Sequence, residues 1–416
     1  MSSTAPPLKV LIAGGGIGGL AAALALSQAS SAAHGPALHL QVWEHKLAWS
    51  EQGAGIQLGP NAVRHLQAWG LGNALEQVAF LPQHLVVCNA HARKGQVGVL
   101  GRLRLGQRMQ DCYGAPYFTL ARADLHQWLL SAVKALPVEL QLARRVVSLK
   151  VEPQVEVKWE DLKPVSGSEA LNTQIFDAVV GADGIWSYVR EALLHDGPAH
   201  ATGHCAYRAQ LPMQALPAQL RSFDVTVWLG YRFHVVHYPV KGGTVLNVVV
   251  IVQGSPCDKE QWLPQITSVQ SAGCRASTQL LDVLNAVDDW QSWPLFDRPP
   301  LNGPQAMAQG HVALLGDAAH PMRPYLAQGA AMAIEDAQSL AQAWGSRVSS
   351  AAPELQIPQA MQAYALNRWR RNAQVQRRAQ RNGFVFHLQG PMAWARDRSI
   401  QWLGESVLDI PWLYSA

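Results

Sequence analysis

Leu8-Lys9-Val10-Leu11-Ile12-Ala13-Gly14-Gly15-Gly16-Ile17-Gly18-Gly19-Leu20-Ala21-Ala22-Ala23-Leu24-Ala25-Leu26 decides the fold. Its first six residues form a short apolar run suited to a buried parallel strand. The residues after the glycines are strongly helix-forming. Gly14-x-Gly16-x-x-Gly19 therefore sits between a strand and a helix, the context that marks a dinucleotide-binding turn. The first glycine makes the tight turn, the second lets backbone approach a pyrophosphate, and the third lets helix and strand pack closely. The helix N-terminus offers unpaired N–H groups to the phosphates. The next strand, Leu38 to Trp43, ends at Glu44. An acid there accepts from both ribose hydroxyls and repels a 2′-phosphate.

Working outward, Ser30 to Pro36 is a small-residue loop. Gln57 to Trp69 predicts a helix closed by Gly70, and Ala123 to Leu136 another, with Arg122 just before it. Residues 95–110 are rich in glycine and arginine, with short β-like pieces. Val146 to Trp159 alternates like one strand, and Pro164 to Asn172 reads as a polar hairpin loop. Phe176 to Val180 is a buried strand running into Gly181-Ala182-Asp183-Gly184. Phe223 to Leu229, Phe233 to Val240 and Thr244 to Val252 are β-rich runs with glycine-containing turns between them, an antiparallel meander. Val312 to Leu315 returns to the parallel-strand texture, and a helix follows from about Gly329 to Trp344.

The last 55 residues are helical and basic. Positions 361–398 hold eight arginines and one acid, Asp397, which reads as a solvated helix face packed on the body. The chain shows no internal repeat.

At 416 residues the chain is too long for one core and predicts two or three domains. A hydrophobic content of 49% against 15% charged residues excludes a disordered or fibrous chain. The net charge of +4 demands no nucleic-acid partner. Five scattered cysteines without a CxxC pair read as reduced, with neither a disulfide frame nor a metal site. No stretch reaches the roughly 18 apolar residues of a membrane span, so no stable membrane association is expected and a cytoplasmic location is.

The glycine turn alone does not separate NAD from FAD. The discriminating stretch is Gly316-Asp317-Ala318-Ala319-His320-Pro321. An aspartate at the carboxyl end of a strand points into the ligand crevice of an open α/β sheet and can hold a ribityl chain. A helix beginning near Gly329 and Ala330 can aim its positive end at a flavin ring. A plain NAD dehydrogenase leaves this second turn unexplained.

With those pieces in order, the sequence resembles the FAD-dependent aromatic hydroxylases, the single-component flavoprotein monooxygenases that include salicylate and 3-hydroxybenzoate hydroxylases. The matching pieces are Gly14 to Gly19, Glu44, Gly53-Ala54-Gly55-Ile56-Gln57-Leu58-Gly59-Pro60-Asn61 and Arg122-Ala123-Asp124-Leu125. Gly181 to Gly184, Gly316 to Met322 and Leu326-Ala327-Gln328-Gly329-Ala330 complete the set. The resemblance implies that Arg122 contacts FAD, and that Asp183-Gly184 lies where FAD and nicotinamide are both engaged. It implies that Asp317 binds the ribityl or ribose, and that Pro321 lines the ring near the reacting carbon. No second GxGxxG is present, so NADH or NADPH would bind transiently in a groove. Arg323 departs from the family, which often carries an apolar residue there, and it is the candidate for binding a substrate carboxylate. Met307 to Gln309 also lack the tryptophan expected before the Gly310-His311-Val312 strand.

The remaining candidates lie on Phe233 to Val240. Alternation puts His234 and Tyr238 on one face, about 13 Å apart along the strand, and His237 on the other. His234 and Tyr238 could flank one aromatic ring, and relatives use such a pair to bind and activate a phenol. Gln57 is a candidate contact to substrate or flavin.

The fold class is therefore α/β: a Rossmann-like FAD-binding domain from 1–75, 105–185 and 290–345, a β-rich substrate domain from 76–104 and 186–289, and a helical C-terminal segment, 346–416, beside it. The implied reaction is hydroxylation of a phenolic or N-heteroaromatic acid with O2 and NAD(P)H through a flavin C4a-hydroperoxide. Catalytic roles fall to His234, Tyr238 and Pro321, and a homodimer is compatible with the sequence. A halogenase on the same scaffold would need Trp-x-Trp-x-Ile-Pro, whereas Trp290-Gln291-Ser292-Trp293-Pro294 has the wrong spacing. A non-catalytic dinucleotide sensor would show no substrate-stimulated NAD(P)H oxidation.

Overall fold

The computed structural model describes residues 6–32, 36–50, 55–91, 98–151, 154–163, 171–254, 277–349 and 352–415. Gly53, Ala54 and most of the 164–172 loop lie outside them, as do part of the Ser30–Pro36 loop and two of the five cysteines.

Leu8–Ala13 is the centre of a six-stranded sheet and is almost wholly buried. Leu38–Glu44 pairs with it in parallel on one side and Ala178–Gly181 on the other. Val138–Leu142 and Val312–Leu314 extend the sheet in parallel, and Ala308–Gln309 closes one edge antiparallel. The helix Ile17–Ala32 is apolar all round because it is covered all round: Leu20 to Leu26 are fully or nearly fully buried in one core with Ala331, Ile334 and Ala337 of the helix Gly329–Gly345.

The second sheet has seven strands. The 13-residue strand His200–Pro212 lies between Gln291–Asp297 and Val245–Gln253. Phe233–Val240 and Val225–Gly230 follow in the antiparallel meander that the sequence indicates. His84–Asn89 then pairs in parallel with Val225–Gly230, and Val99–Arg104 forms the far edge.

Local departures have local causes. Val146–Trp159 is not one strand but a hairpin, Arg144–Val151 with Val155–Asp161. The run through Phe176 breaks at Asp177, whose carboxylate accepts from the N–H of Lys9 at 2.8 Å. Gln57 is not helical: Gly55–Leu58 is a strand paired with Phe118–Ala121, and the helix begins at Pro60. Proline suits a first helical turn, where its missing N–H has no partner to lose. Cys88 and Cys112 are free thiols, but Cys205 is disulfide-bonded, so the chain is not wholly reduced.

The C-terminal segment is not confined to the β-rich part, and its basic face is not simply solvated. The helix Pro353–Phe386 buries Ile357, Met361 and Tyr364 in the core of the parallel sheet. Buried Arg368 binds Glu335 and Asp336, both at 2.7 Å, and Arg371 binds Glu335 at 2.6 Å. Buried charges persist when paired and hydrogen-bonded, and these are. Among the described residues, no helix is long and apolar enough to cross a membrane.

Candidate active site

The carboxyl ends of the central strands converge on one cavity of about 400 Å³. Gly14, Glu44, Ala182 and Leu315 each stand at the end of one of these strands or just past it, and all line it. Gly14 has φ +108°, and a Cβ there would lie 2.2 Å from the carbonyl oxygen of Ala182. A Cβ on Gly19 would meet the Gly14 carbonyl at 1.9 Å. The two glycines thus let three pieces of backbone approach one another, and Gly19 serves packing rather than the cavity wall. Glu44 is buried, and one of its oxygens accepts from the Gly15 N–H at 2.8 Å, tying the acid to the glycine turn.

At the other end of this track, Asp317 is exposed to the cavity between buried Gly316 and Ala318. The turn that presents it is anchored from behind. Fully buried Asp336 accepts from the Gly316 N–H, lies 2.5 Å from His320 Nε2 and takes bonds from Arg368 and Asn372. Burial pushes the Asp336 carboxyl up, but His320 and Arg368 outweigh it and hold it well below the usual carboxylate range. The same helix holds Glu335, which accepts from Asn61 at 2.7 Å. Asn61 thus pins the start of Pro60–Ala68 to Gly329–Gly345, whose first residues, Gly329 and Ala330, face the cavity.

Arg122, at the first position of the helix Arg122–Lys134, lines the cavity too. So does Asp183, whose carboxylate accepts from the hydroxyl of Ser187 and from the N–H groups of Tyr188 and Val189. The cradle of small residues, the acid at each end and the helix N-terminus suit an extended dinucleotide. An adenosine ribose fits at Glu44, a pyrophosphate at Gly14–Gly16, and a ribityl chain at Asp317.

Beyond that track the cavity ends on the second sheet. His234, Val236 and Tyr238 face it, while His237 points to the opposite side and accepts from Trp228 Nε1 at 3.0 Å. His234 is 1% exposed, and its Nδ1 lies 3.0 Å from His387 Nε2. Burial, with His387 and His204 nearby, holds the His234 imidazole well below its usual pKa, so it is neutral. Burial raises the Tyr238 phenol above its usual value against the opposing pull of Arg208 and a hydrogen bond with Gln57. Gln57 in turn accepts from the hydroxyl of Tyr117 at 2.7 Å. Gln57 is therefore part of a buried hydrogen-bonded wall rather than a loop residue.

Two expected residues stand elsewhere. Pro321 is buried away from the cavity, its carbonyl accepting from Gln376 at 3.0 Å, and Pro324 takes the place at the wall. Arg323 does not face the cavity: its Nε donates to Asp297 at 2.8 Å, beside Gln380. A partly buried guanidinium needs an anion, and Asp297 supplies it inside the protein.

The cation at the end of the cavity formed by the second sheet is Arg208. It sits on His200–Pro212 with its guanidinium 5.1 Å from the Trp293 ring centre, and its buried Nε has no hydrogen-bond partner. No carboxylate pairs with it among the described residues. Neither Arg208 nor His387 carries a sequence signal: the first is one arginine on a long strand, and the second lies 153 residues from the histidine it meets.

The family model described as FAD binding domain matches residues 7–379. The 3-hydroxybenzoate 6-hydroxylase 1 of Aquipseudomonas alcaligenes is 34% identical over 393 residues, spanning 94% of this chain and 92% of its own. A 3-amino-4-hydroxybenzoate 2-monooxygenase of Streptomyces platensis is 33% identical over 413 residues, 98% of this chain and 95% of its own. Among solved structures, a salicylate hydroxylase substrate complex superposes with a TM-score of 0.77 at 24% identity, covering 99% of this chain and 96% of that one.

Proposed function

Since the chain belongs to the FAD-dependent aromatic hydroxylase family and is an FAD-dependent monooxygenase, we propose that it hydroxylates a phenolic or N-heteroaromatic acid with O2 and NADH or NADPH, in the cytoplasm. FAD held in the cavity would supply the redox chemistry, hydride acceptance from the nicotinamide and activation of O2.

The protein's own groups do the rest. Glu44 would hold the adenosine ribose and Asp317 the ribityl chain, with Arg122 and Asp183 beside them. The aromatic ring lies between the flavin position and the face of Phe233–Val240. Oxygen transfer needs an electron-rich ring, so loss of the phenolic proton accelerates it. His234 is the base: neutral because it is buried, with Nδ1 donating to His387 and Nε2 left to accept. Tyr238 stays protonated and orients the substrate as a donor, held by Gln57 and Tyr117. Pro324, in the role expected of Pro321, presses on the ring position. Arg208 meets the carboxylate, which matches its planar fork.

One observation carries this reading. A single cavity runs from the glycine turn past Asp317 to His234, Tyr238 and an arginine without an acid partner. The test is a panel of hydroxybenzoates and hydroxynicotinates scored for stimulated NADH and NADPH oxidation, with product mass. An increase of 16 mass units in a ring acid is expected, and stimulation by none of them would overturn the reading.

A further inference from the structure

The cavity does not stop at the ring wall. A second cavity of about 350 Å³ begins where the first ends and shares Gln57, His234, Val236, Pro324 and Ala327 with it. Its walls are aliphatic and aromatic: Val87 and Leu229 from the seven-stranded sheet face Phe386, Ile400 and Leu408 of the C-terminal helices. Its charge comes from two arginines: Arg396 already binds Asp397 and the carbonyls of Val385 and Phe386, while Arg378 presents a buried Nε without a hydrogen-bond partner.

The size matters. A dry apolar cavity of about 150 Å³ accommodates a benzene ring. The space behind His234 is over twice that, in addition to the room the ring itself occupies in the first cavity. Protein interiors close-pack, and unfilled apolar volume is destabilising. A hydroxybenzoate alone leaves this volume empty.

We propose that the second cavity is a subsite for an apolar arm on the substrate, an alkyl chain or a second ring attached to the phenolic acid. The C-terminal helices form the outer wall of that subsite, and they set how long the arm can be. This inference rests on the aromatic-acid reading above.

The experiment uses the FAD-loaded protein and three probes: 3-hydroxybenzoate and its hexyl- and phenyl-substituted derivatives. Binding is read from the change in flavin absorbance. At least one substituted acid should bind tenfold or more tightly than 3-hydroxybenzoate. Leu229→Trp and, separately, Val87→Phe should erase that gain while leaving the affinity for 3-hydroxybenzoate and FAD retention unchanged. If 3-hydroxybenzoate perturbs the flavin and neither substituted acid binds more tightly, the subsite is overturned and the aromatic-acid reading stands. If both cavity-filling variants retain the gain, the arm lies elsewhere and the subsite is likewise overturned. If none of the three perturbs the flavin, the aromatic-acid reading falls, and the subsite with it.

Discussion

Nδ1 of His234 lies 3.0 Å from Nε2 of His387, joining the start of a buried strand to the residue that caps a 34-residue helix. One nitrogen must donate and the other accept. Burial, with His204 and Arg396 nearby, pushes His387 down to about 3, so neither ring is charged near neutrality.

The pair makes His387 a positioning residue with its own signature. Burial is the first cause of the low pKa of His234 and His387 the second, so His387→Gln should let that pKa rise in part. A base works in its neutral form, and the acid limb of kcat/KM should therefore move to higher pH in the variant. His234→Gln should slow hydroxylation by about 10²–10⁴-fold with FAD still bound. An unshifted limb in His387→Gln would reduce the contact to packing.

Tyr238→Phe keeps the ring and removes the donor. Coupling should fall, with peroxide released, because the substrate loses a bond from a neutral phenol and is poorly placed. The measurement is peroxide formed per NAD(P)H oxidised. Unchanged coupling would assign Tyr238 to scaffold.

Asp317→Ala should weaken FAD binding by roughly 10- to 100-fold, the loss of a bond to a charged group worth about 1.5–3 kcal/mol. Fluorescence titration of the apoprotein reads this directly. Apoprotein melting should barely change, because Asp317 is exposed between its two buried neighbours. A large drop in melting temperature would make it a structural acid.

Arg368 tests the anchoring network by acid. Glu335 and Asp336 are both held below their usual values. A depressed carboxylate contributes stability that is present above its unfolded pKa, about 4, and lost as pH falls through the folded one. Arg368→Met leaves two buried acids short of a partner and should cost about 3–5 kcal/mol near neutrality. The variant should also lose less on going to pH 3 than the wild type does, because its carboxylates are no longer held down as far. Urea unfolding of both proteins at pH 7 and pH 3 measures the two losses.

What was legible in the chain was what local pattern encodes. Gly14 to Gly19, the apolar strands and the alternation that separates His234 from His237 are period and turn signals, and the structure follows them. The dinucleotide track needed only those strands to end in one crevice. What was not legible depends on contacts far apart in sequence. Gln57 joins a strand because Phe118–Ala121 is there to pair with it. Arg208 reaches the cavity, and His387 reaches His234 behind it, through strand and helix placement that no spacing reports. Pro321 and Pro324 differ by three residues, and which of them meets the ring position is a matter of backbone direction after the Gly316 turn.

The two arginines at 208 and 323 separate structure from recognition. Arg323 is one-quarter exposed and already has an anion, Asp297, which is itself bonded by Gln380. Arg208 faces the cavity with a buried, unpaired Nε and a tryptophan beneath it. A half-buried cation with an unpaired Nε destabilises the free protein and gains most when an anion arrives. Arg208→Met should therefore raise the KM for an aromatic acid by at least tenfold, about 1.4 kcal/mol, and change it far less for a neutral phenol of the same shape. It should also leave the protein no less stable, since a methionine fills the space without a charge to desolvate. Arg323→Met should do the opposite. It takes the charged partner from Asp297, leaving Gln380 and the Arg298 N–H, and lowers the melting temperature, with acid and neutral substrates affected alike. Steady-state kinetics on a matched acid and phenol, run beside thermal unfolding of both variants, decides the assignment. An acid-selective loss in Arg323→Met, with none in Arg208→Met, would return the carboxylate to the position that the sequence first indicated.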